Sequence, residues 1–88
     1  MSTVLSEESL ATLTAEKVAD ARGIGCPGPL LEAKKAMPSV PVGSVIELWS
    51  SDSQTKSDVS AWCGKVGHEF LGVLEADGYE RLFVRRTK

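Results

Sequence analysis

The sequence has few of the cysteine and histidine residues that form disulfide bonds or bind metal ions in small proteins. Among its 88 residues are two cysteines, Cys26 and Cys63, and one histidine, His68. Two widely separated cysteines are too few for a disulfide-stabilised secreted scaffold, and they do not form the paired Cys-x-x-Cys ligands of a zinc ribbon. A single histidine excludes most other metal sites and catalytic triads. The sequence therefore predicts no metal and no cofactor, and a cytoplasmic protein with reduced thiols.

Long apolar runs and an excess of positive charge are also missing. No stretch approaches the roughly 20 apolar residues of a membrane helix. The first ten residues, MSTVLSEESL, are polar and acidic, whereas a secretory signal has a basic flank and an apolar run. The net charge of −2 argues against nucleic-acid binding. We expect a globular protein that contacts neither membranes nor nucleic acid directly.

The charge distribution marks a boundary near residue 16. Residues 1–16 contain Glu7, Glu8 and Glu16 but no Lys or Arg, and they show no strong hydrophobic period. Chain termini are loose unless they are tied down. We therefore expect residues 1–16 to be a flexible acidic N-terminal extension and residues 17–88 to form one domain.

The hydrophobic pattern after residue 16 predicts six elements. They are strand 17–21, a helix from residue 26 to 37, strand 44–49, a helix from residue 57 to 66, and strands 68–75 and 79–86. The first strand–helix–strand unit should be parallel with a right-handed crossover, and Asp77-Gly78 should close a hairpin. Two helices can cover only one face of a four-stranded sheet. The predicted fold is an α/β (α+β) two-layer sandwich of βαβαββ order, with a mixed sheet and both helices on one face.

The periodicity of each helix predicts its buried side. In the first helix the apolar face consists of Leu30, Ala33 and Met37, with Leu31 beside it, and Pro38 ends the helix. Ser57 is the expected cap of the second helix, and Gly67 is its expected end. The buried stripe of this second helix has residues at spacings of three and four: Val59, Trp62, Cys63 and Val66.

The alternation of the strands predicts two faces for the sheet. In strand 68–75, strict alternation places Phe70 and Leu74 opposite Leu71 and Val73. Trp49 and Phe83 fall on the face away from the helices. There they form either an open surface for a partner or the edge of a core.

The reactive chemistry is concentrated in residues 23–29, Gly-Ile-Gly-Cys-Pro-Gly-Pro. Cys26 is predicted to cap a helix, where free backbone N–H groups and the helix dipole stabilise a thiolate. Cysteines in such places have pKa values of about 3.5–7.5, compared with about 8.5 when free. Gly25 leaves the sulfur accessible, while Pro27 and Pro29 fix the direction of the chain. The sequence therefore predicts a reactive thiol at Cys26, positioned by these three neighbours.

The surroundings of Cys26 limit what this thiol can do alone. No second cysteine lies within three residues, so the motif is not a thioredoxin-type dithiol. The sequence offers no clear base of the kind that a cysteine hydrolase requires. A lone activated thiolate favours carrying a group over self-sufficient catalysis, which leaves open whether the protein is an enzyme.

Two other functions remain open at this point. One is a thiol-redox regulator that forms a Cys26–Cys63 disulfide, which requires Cα atoms within about 7 Å of each other. Cys63 lies on the predicted buried stripe, which favours a structural role. The other alternative is a non-catalytic interaction module, in which the Cys-Pro-Gly-Pro segment is only a rigid turn.

A family resemblance extends over most of the chain. The segment 20–30, Asp-Ala-Arg-Gly-Ile-Gly-Cys-Pro-Gly-Pro-Leu, resembles the Cys-Pro-x-Pro signature of the TusA (SirA-like) sulfur carriers. The likeness continues through Lys34 and Lys35, residues 51–58, residues 62–69 and the terminal hairpin. One departure is Gly28, where members often carry a larger or charged residue.

The resemblance implies a function for Cys26. It implies that this cysteine accepts sulfane sulfur as a persulfide and passes it to an acceptor protein. The donor would be a cysteine desulfurase or a rhodanese-like protein. The sulfur would serve tRNA thiolation, molybdenum-cofactor assembly or cytoplasmic sulfur oxidation, and no residue here selects among these routes.

Several further residues have two interpretations each. Arg22, Lys34 and Lys35 form either a basic rim for docking acidic partners or a solvated face. Cys63, which recurs near this position in relatives, is either a secondary thiol or a small buried side chain. His68 stands in a loop or at the start of a strand, so a structural or surface role is expected.

Overall fold

The fold is a two-layer α/β sandwich, as the sequence predicts. A computed structural model describes residues 15–25 and 28–88. Its strands are β1 (Lys17–Asp20), β2 (Val45–Ser50), β3 (Glu69–Ala76) and β4 (Tyr79–Arg85), and its α-helices are α1 (Gly28–Ala36) and α2 (Thr55–Val66). A single turn of 3-10 helix, Met37–Ser39, follows α1. No helix in this described part of the chain is long and apolar enough to cross a membrane.

The sheet has the order β1-β2-β4-β3 and mixed strand directions. The β1–β2 pair is parallel, whereas β4 is antiparallel to both of its neighbours. This arrangement confirms the predicted parallel unit and the terminal hairpin. The parallel pairing requires α1 to cross from the end of β1 to the start of β2. The segment that contains Cys26 therefore lies between the end of the edge strand β1 and the start of α1.

The main core lies between the sheet and the two helices. The inward strand residues Ile46, Leu48, Leu82 and Val84 are fully buried there. The helices contribute small side chains to this core, among them Ala33, Ala36, Val59 and Cys63. Small residues allow the helices to approach the sheet closely, so the first turn of α1 lies against the core.

The N-terminal part of the chain is joined to the sheet before β1 begins. The backbone N–H of Glu16 donates to the carbonyl of Val45 at 2.8 Å. The predicted extension 1–16 is therefore bonded to β2 at its last residue. Residues 1–14 lie outside the described part of the chain.

Helix α1 buries fewer of its leucines than its periodicity predicts. Ala33 and Met37 are buried and Leu30 is half-buried, as expected. Leu31, however, is 49% exposed. The α-helix also ends one residue early, because Met37 and Pro38 belong to the 3-10 turn. The 3-10 turn accommodates Pro38, and Met37 at its start is buried as predicted.

Helix α2 begins at Thr55, two residues earlier than predicted. Ser57 lies inside the helix, and the residue that precedes the helix, Gln54, makes no side-chain capping bond. The buried hydroxyl of Thr55 instead lies 2.7 Å from the Ser50 hydroxyl, which ties the helix start to β2. The predicted end is correct, since Gly67 has a φ of 91° and its N–H donates to the Cys63 carbonyl.

The buried stripe of α2 is narrower than predicted. Val59 and Cys63 are fully buried, and Trp62 packs against the core while half-buried. Val66, at 36% exposed, is outside the core. The buried side of α2 therefore runs from Thr55 to Cys63 and does not include Val66 in the last turn.

A bulge in β3 overturns the predicted alternation of that strand. Phe70 pairs with Val84, but Gly72 pairs with Phe83, so one residue is inserted between the two pairs. As a result Phe70 and Val73 contact the main core, while Leu71 and Leu74 lie in a second cluster on the opposite face. An extra unpaired residue reverses the side to which all later side chains point.

The face away from the helices carries this second cluster, formed by Val45, Leu71 and Phe83 with Leu74 packed against it. Phe83 is fully buried, so the possibility that it is an exposed aromatic is wrong. The Arg81 guanidinium lies 5.4 Å from the centre of the Phe83 ring. This face is therefore a small packed core in its own right.

Candidate functional site

The loop that precedes Cys26 is held by the edge of the sheet. Ala21 is fully buried, and its N–H donates to the Trp49 carbonyl at 2.9 Å. The chain then turns, because the N–H of Ile24 donates to the carbonyl of Ala21 and Gly23 has a φ of 81°. A positive φ of this size favours glycine, which explains the first glycine of the motif.

Arg22 is fixed by three neighbours within this turn. Its Nε and Nη2 donate to the two carboxylate oxygens of Asp20 at 2.9 Å and 2.8 Å. Its guanidinium carbon also lies 4.8 Å from the ring centres of both Trp49 and Tyr79. The bonds from Arg22 to Asp20 lower the pKa of that carboxyl to about 2. Arg22 thus packs in a stack with both rings that anchors the loop, and its side chain is still 44% exposed.

A second anchor comes from the loop between β2 and α2. The N–H of Gly23 donates to Oγ of Ser51 at 2.8 Å. These two loops together line a shallow depression formed by Gly23, Ile24, Gly25, Ser51, Asp52 and Ser53. The resemblance to sulfur carriers includes residues 51–58, but the sequence alone gives no physical reason why this segment should be linked to the cysteine motif. The bond from Gly23 supplies one, since it couples the two loops.

Cys26 and Pro27 lie outside the described residues, which resume at Gly28. The N–H of Gly28 donates to the carbonyl of Gly25 at 2.9 Å, which joins the described residues on the two sides of this pair. Helix α1 begins at Gly28, and Pro29, its second residue, is fully buried. A proline here costs no intrahelical bond, because the first N–H groups of a helix have no partner within it.

The two lysines predicted as a docking rim lie on the outer side of α1. Lys34 and Lys35 are both exposed in the last turn of the helix. Lys35 Nζ lies 3.5 Å from Glu32 Oε1, an exposed pair of the kind that contributes little to stability. Together with Arg22 they are accessible basic side chains, but Arg22 is the only one of the three within the loop itself.

Cys63 is enclosed in the core between the helices and the sheet. Its side chain is fully buried, and burial raises the pKa of its thiol to about 12. A thiol with so high a pKa is neither a nucleophile nor a ready disulfide partner at neutral pH. This environment favours the structural interpretation of Cys63.

His68 follows the end of α2 and serves a local contact. Its Nδ1 accepts a hydrogen bond from the backbone N–H of Thr87, and its ring meets the edge of the Trp62 ring. Burial, together with the charges of Arg86 and Lys88, lowers the pKa of His68. A neutral imidazole that joins α2 to the C-terminal segment agrees with the expected structural role. Among residues 15–25 and 28–88 no group of His, Cys, Asp and Glu is placed to hold a metal ion.

The order of elements defines a small α/β sandwich. Its one predicted reactive thiol lies in the Cys-Pro-Gly-Pro segment. The family model described as sulfurtransferase TusA matches residues 17–86. The chain therefore belongs to the TusA family of sulfur carriers.

Individual relatives agree with this family assignment. A protein of Archaeoglobus fulgidus, named as a candidate sulfur carrier protein, is 44% identical over 71 residues, which cover 81% of this chain and 97% of that protein. The sulfur carrier protein TusA of Pseudomonas entomophila is 31% identical over 67 residues, with coverages of 76% and 84%. The crystal structure of a SirA-like protein from Desulfitobacterium hafniense superposes with a TM-score of 0.71 at 23% identity, covering 82% of this chain and 99% of that one. That last likeness supports the fold.

Proposed function

We propose that the protein is a persulfide carrier, which accepts sulfane sulfur on Cys26 and passes it to an acceptor protein. The observation that carries this proposal is the position of the cysteine in the chain. Cys26 stands two residues before the first residue of α1, in a family of sulfur carriers. The unpaired N–H groups and the dipole at a helix start favour the thiolate form of a nearby cysteine.

The proposed reaction needs only thiols. The Cys26 thiolate attacks the terminal sulfur of a donor persulfide, R–S–SH. A bond forms between Sγ of Cys26 and that sulfur, while the donor's own S–S bond breaks and its electron pair stays on the donor as a thiolate. Delivery repeats the same exchange with an acceptor cysteine. The sulfane sulfur is transferred without net oxidation, so no external oxidant is required.

The surrounding loop supports this chemistry by holding its flanks. The Arg22 stack and the Gly23–Ser51 bond fix the chain on the N-terminal side, and buried Pro29 fixes it on the C-terminal side. Gly25 has open space where a Cβ would be, which leaves room for an approaching partner. Flanking residues that are held in place and leave room for a partner are suited to exchange between two proteins.

The proposed partners are a donor and an acceptor protein. A cysteine desulfurase or a rhodanese-like protein would supply the sulfur, and Arg22, Lys34 and Lys35 would contribute a positive rim for docking. The acceptor would serve tRNA thiolation, molybdenum-cofactor assembly or sulfur oxidation in the cytoplasm. The burial of Cys63 argues against the alternative of a Cys26–Cys63 redox switch.

Mass spectrometry after treatment with polysulfide, or with a desulfurase and cysteine, tests the proposal. We expect a gain of one sulfur atom, about 32 Da, on Cys26. Cys26→Ser should abolish this gain, whereas Cys63→Ala should retain it while lowering the free energy of unfolding by about 1 kcal/mol. A loss of about 2 Da would favour the redox switch, and no change of mass would favour the interaction module. Equal loss of loading in both variants would contradict a single carrier cysteine.

A further inference from the structure

We infer that Ile24, Gly28, Leu31, Lys34 and Lys35 form one docking stripe along α1, which binds a partner surface carrying an apolar side chain followed by carboxylates. This inference rests on the proposed function, since a carrier must hold another protein's sulfur beside its own. It adds a recognition element of apolar side chains close in sequence to the thiol, with Lys34 and Lys35 at its far end.

Two apolar side chains of the stripe are exposed beside the predicted thiol. Ile24 is 43% exposed and Leu31 is 49% exposed. Within the described residues the other large hydrophobic side chains with comparable exposure are Val18, Val42 and Val66. Ile24 and Leu31 are thus two of five such residues, and both fall within a segment of eight residues centred on the motif. Adjacent exposed apolar side chains near a reactive group are typical of contact surfaces.

Gly28 explains why Ile24 and Leu31 form a continuous patch. A Cβ at position 28 would overlap Cγ2 of Ile24, so the Ile24 side chain lies over the first residue of α1. Gly28 is not among the glycines with positive φ, so its backbone does not require glycine. Glycine at position 28 instead leaves space for the Ile24 side chain. Leu31 follows three positions later, on the same side of the helix.

The far end of the stripe is basic. Lys34 and Lys35 are three and four residues beyond Leu31, which places them next to it on the helix surface. With a rise of about 1.5 Å per residue, they lie about 10 Å along the helix axis from Gly28. Their side chains are exposed, and the Glu32–Lys35 contact of 3.5 Å leaves Lys35 largely free to pair elsewhere. Carboxylates of a partner would complement this end, while an apolar side chain would cover Ile24 and Leu31.

Disulfide exchange with peptides tests the stripe without a natural partner. Each helical peptide carries one cysteine as a mixed disulfide with thiopyridine. The Cys26 thiolate attacks the peptide sulfur, a peptide–Cys26 disulfide forms, and the released thiopyridone is measured by absorbance. The reference peptide has leucine beside this cysteine and two glutamates about 10 Å away. In one companion peptide lysines replace the glutamates, and in the other serine replaces the leucine. Each rate is divided by the rate with dithiodipyridine, which corrects for changes in thiol reactivity.

The wild-type protein should react about fivefold or more faster with the reference peptide than with either companion. Ile24→Ser should remove the preference for leucine, and the double change Lys34→Glu, Lys35→Glu should reverse the preference for charge. Gly28→Ala should weaken the leucine preference, because the added Cβ displaces Ile24. The matched control, Val42→Ser, changes an equally apolar side chain that is 60% exposed in the turn before β2, and it should keep both preferences.

Two outcomes would overturn the inference. The first is equal corrected rates for all three peptides, and the second is the same effect from Val42→Ser as from Ile24→Ser. Persulfide loading is measured separately by mass. A protein that discriminates among the peptides but never gains sulfur would contradict the proposed function, whereas one that gains sulfur without discrimination would contradict the stripe.

Discussion

The backbone N–H of Gly23 donates a 2.8 Å hydrogen bond to the hydroxyl of Ser51, joining the loop before Cys26 to the loop after β2. The two loops are separated by 28 positions in sequence. Because Gly23 is three residues before the cysteine in sequence, this bond ties the β2–α2 loop to the segment that leads to Cys26.

Removing the Ser51 hydroxyl should affect transfer more than stability. The bond is exposed, so Ser51→Ala should lower the free energy of unfolding by about 1 kcal/mol or less. Sulfur transfer to a protein acceptor should slow severalfold, because displacement of a reacting group by about 1 Å costs up to about a hundredfold in rate. Labelled-sulfur transfer and chemical denaturation measure the two effects. Ser53→Ala, on the same loop, is the control, and an identical slowing in both variants would contradict a specific role for Ser51.

The two cysteines should differ sharply in reactivity. Burial raises the pKa of Cys63 to about 12, so almost none of this thiol is ionised at pH 8. Iodoacetamide at pH 8 should therefore label Cys26 alone in the native protein. Peptide mapping should show labelling of Cys63 only after denaturation. Labelling of Cys63 first, or of both at equal rates, would contradict the predicted exposure and ionisation of Cys26.

The decrease in the free energy of unfolding at acid pH should depend on Glu47. Burial raises the pKa of this carboxyl, but hydrogen bonds from Arg81 and Trp49 outweigh that effect and leave its pKa below the ordinary value of 4.5. A lowered pKa means that the stabilising contribution is fully present above pH 4.5 and is lost as the pH falls through the folded-state pKa.

Glu47→Gln should therefore cost on the order of 1–3 kcal/mol at pH 7, since Arg81 loses a charged acceptor 2.7 Å away. The difference between the variant and the wild type should shrink as the pH falls below 4.5. Urea denaturation at several pH values provides the measurement. Glu32→Gln, which changes an exposed pair on α1, should produce little difference at any pH. A gap between Glu47→Gln and the wild type that stays constant down to pH 2 would rule out this role for Glu47.

Pro27 should matter for delivery of sulfur rather than for folding. Pro27 directly precedes the first residue of α1 and its ring fixes φ at that position, whereas alanine leaves φ free. We expect Pro27→Ala to lower stability by about 1 kcal/mol or less and to slow protein-to-protein transfer. Pro41→Ala, in the turn before β2, should leave transfer unchanged. Unchanged transfer with a sharply lower melting temperature in Pro27→Ala would instead make the motif a structural turn.

Much of the fold follows from local patterns in the sequence. Alternation placed Phe83 correctly on the face away from the helices, and Gly67 and Gly78 marked a helix end and a hairpin through their left-handed backbone. These signals act within a few residues, so the sequence alone carries them. The order of the elements also follows from these local patterns, and the family resemblance implied the same order.

The features that the sequence did not predict depend on contacts between distant segments. The bulge near Gly72 in β3 arises from its pairing with β4, and no residue of β3 by itself specifies an insertion. The start of α2 at Thr55 depends on a hydrogen bond to Ser50. This bond is not a helix cap, so the capping pattern of the sequence does not predict it. In the site, the stack of Arg22 on Trp49 and Tyr79 joins three separate segments. The sequence pattern indicated Arg22 as a basic residue near the motif, but it did not indicate that Arg22 packs against Trp49 and Tyr79.

The two tryptophans lie in different parts of the molecule and can report on them separately by fluorescence. Trp49 stacks on Arg22 beside the loop that leads to Cys26, whereas Trp62 meets His68 at the end of α2. Replacing Trp62 with phenylalanine would leave Trp49 as the single strong fluorophore of the chain. Its emission would then follow events at the loop, such as a docking partner or a shift of Arg22, in the unlabelled protein and in real time.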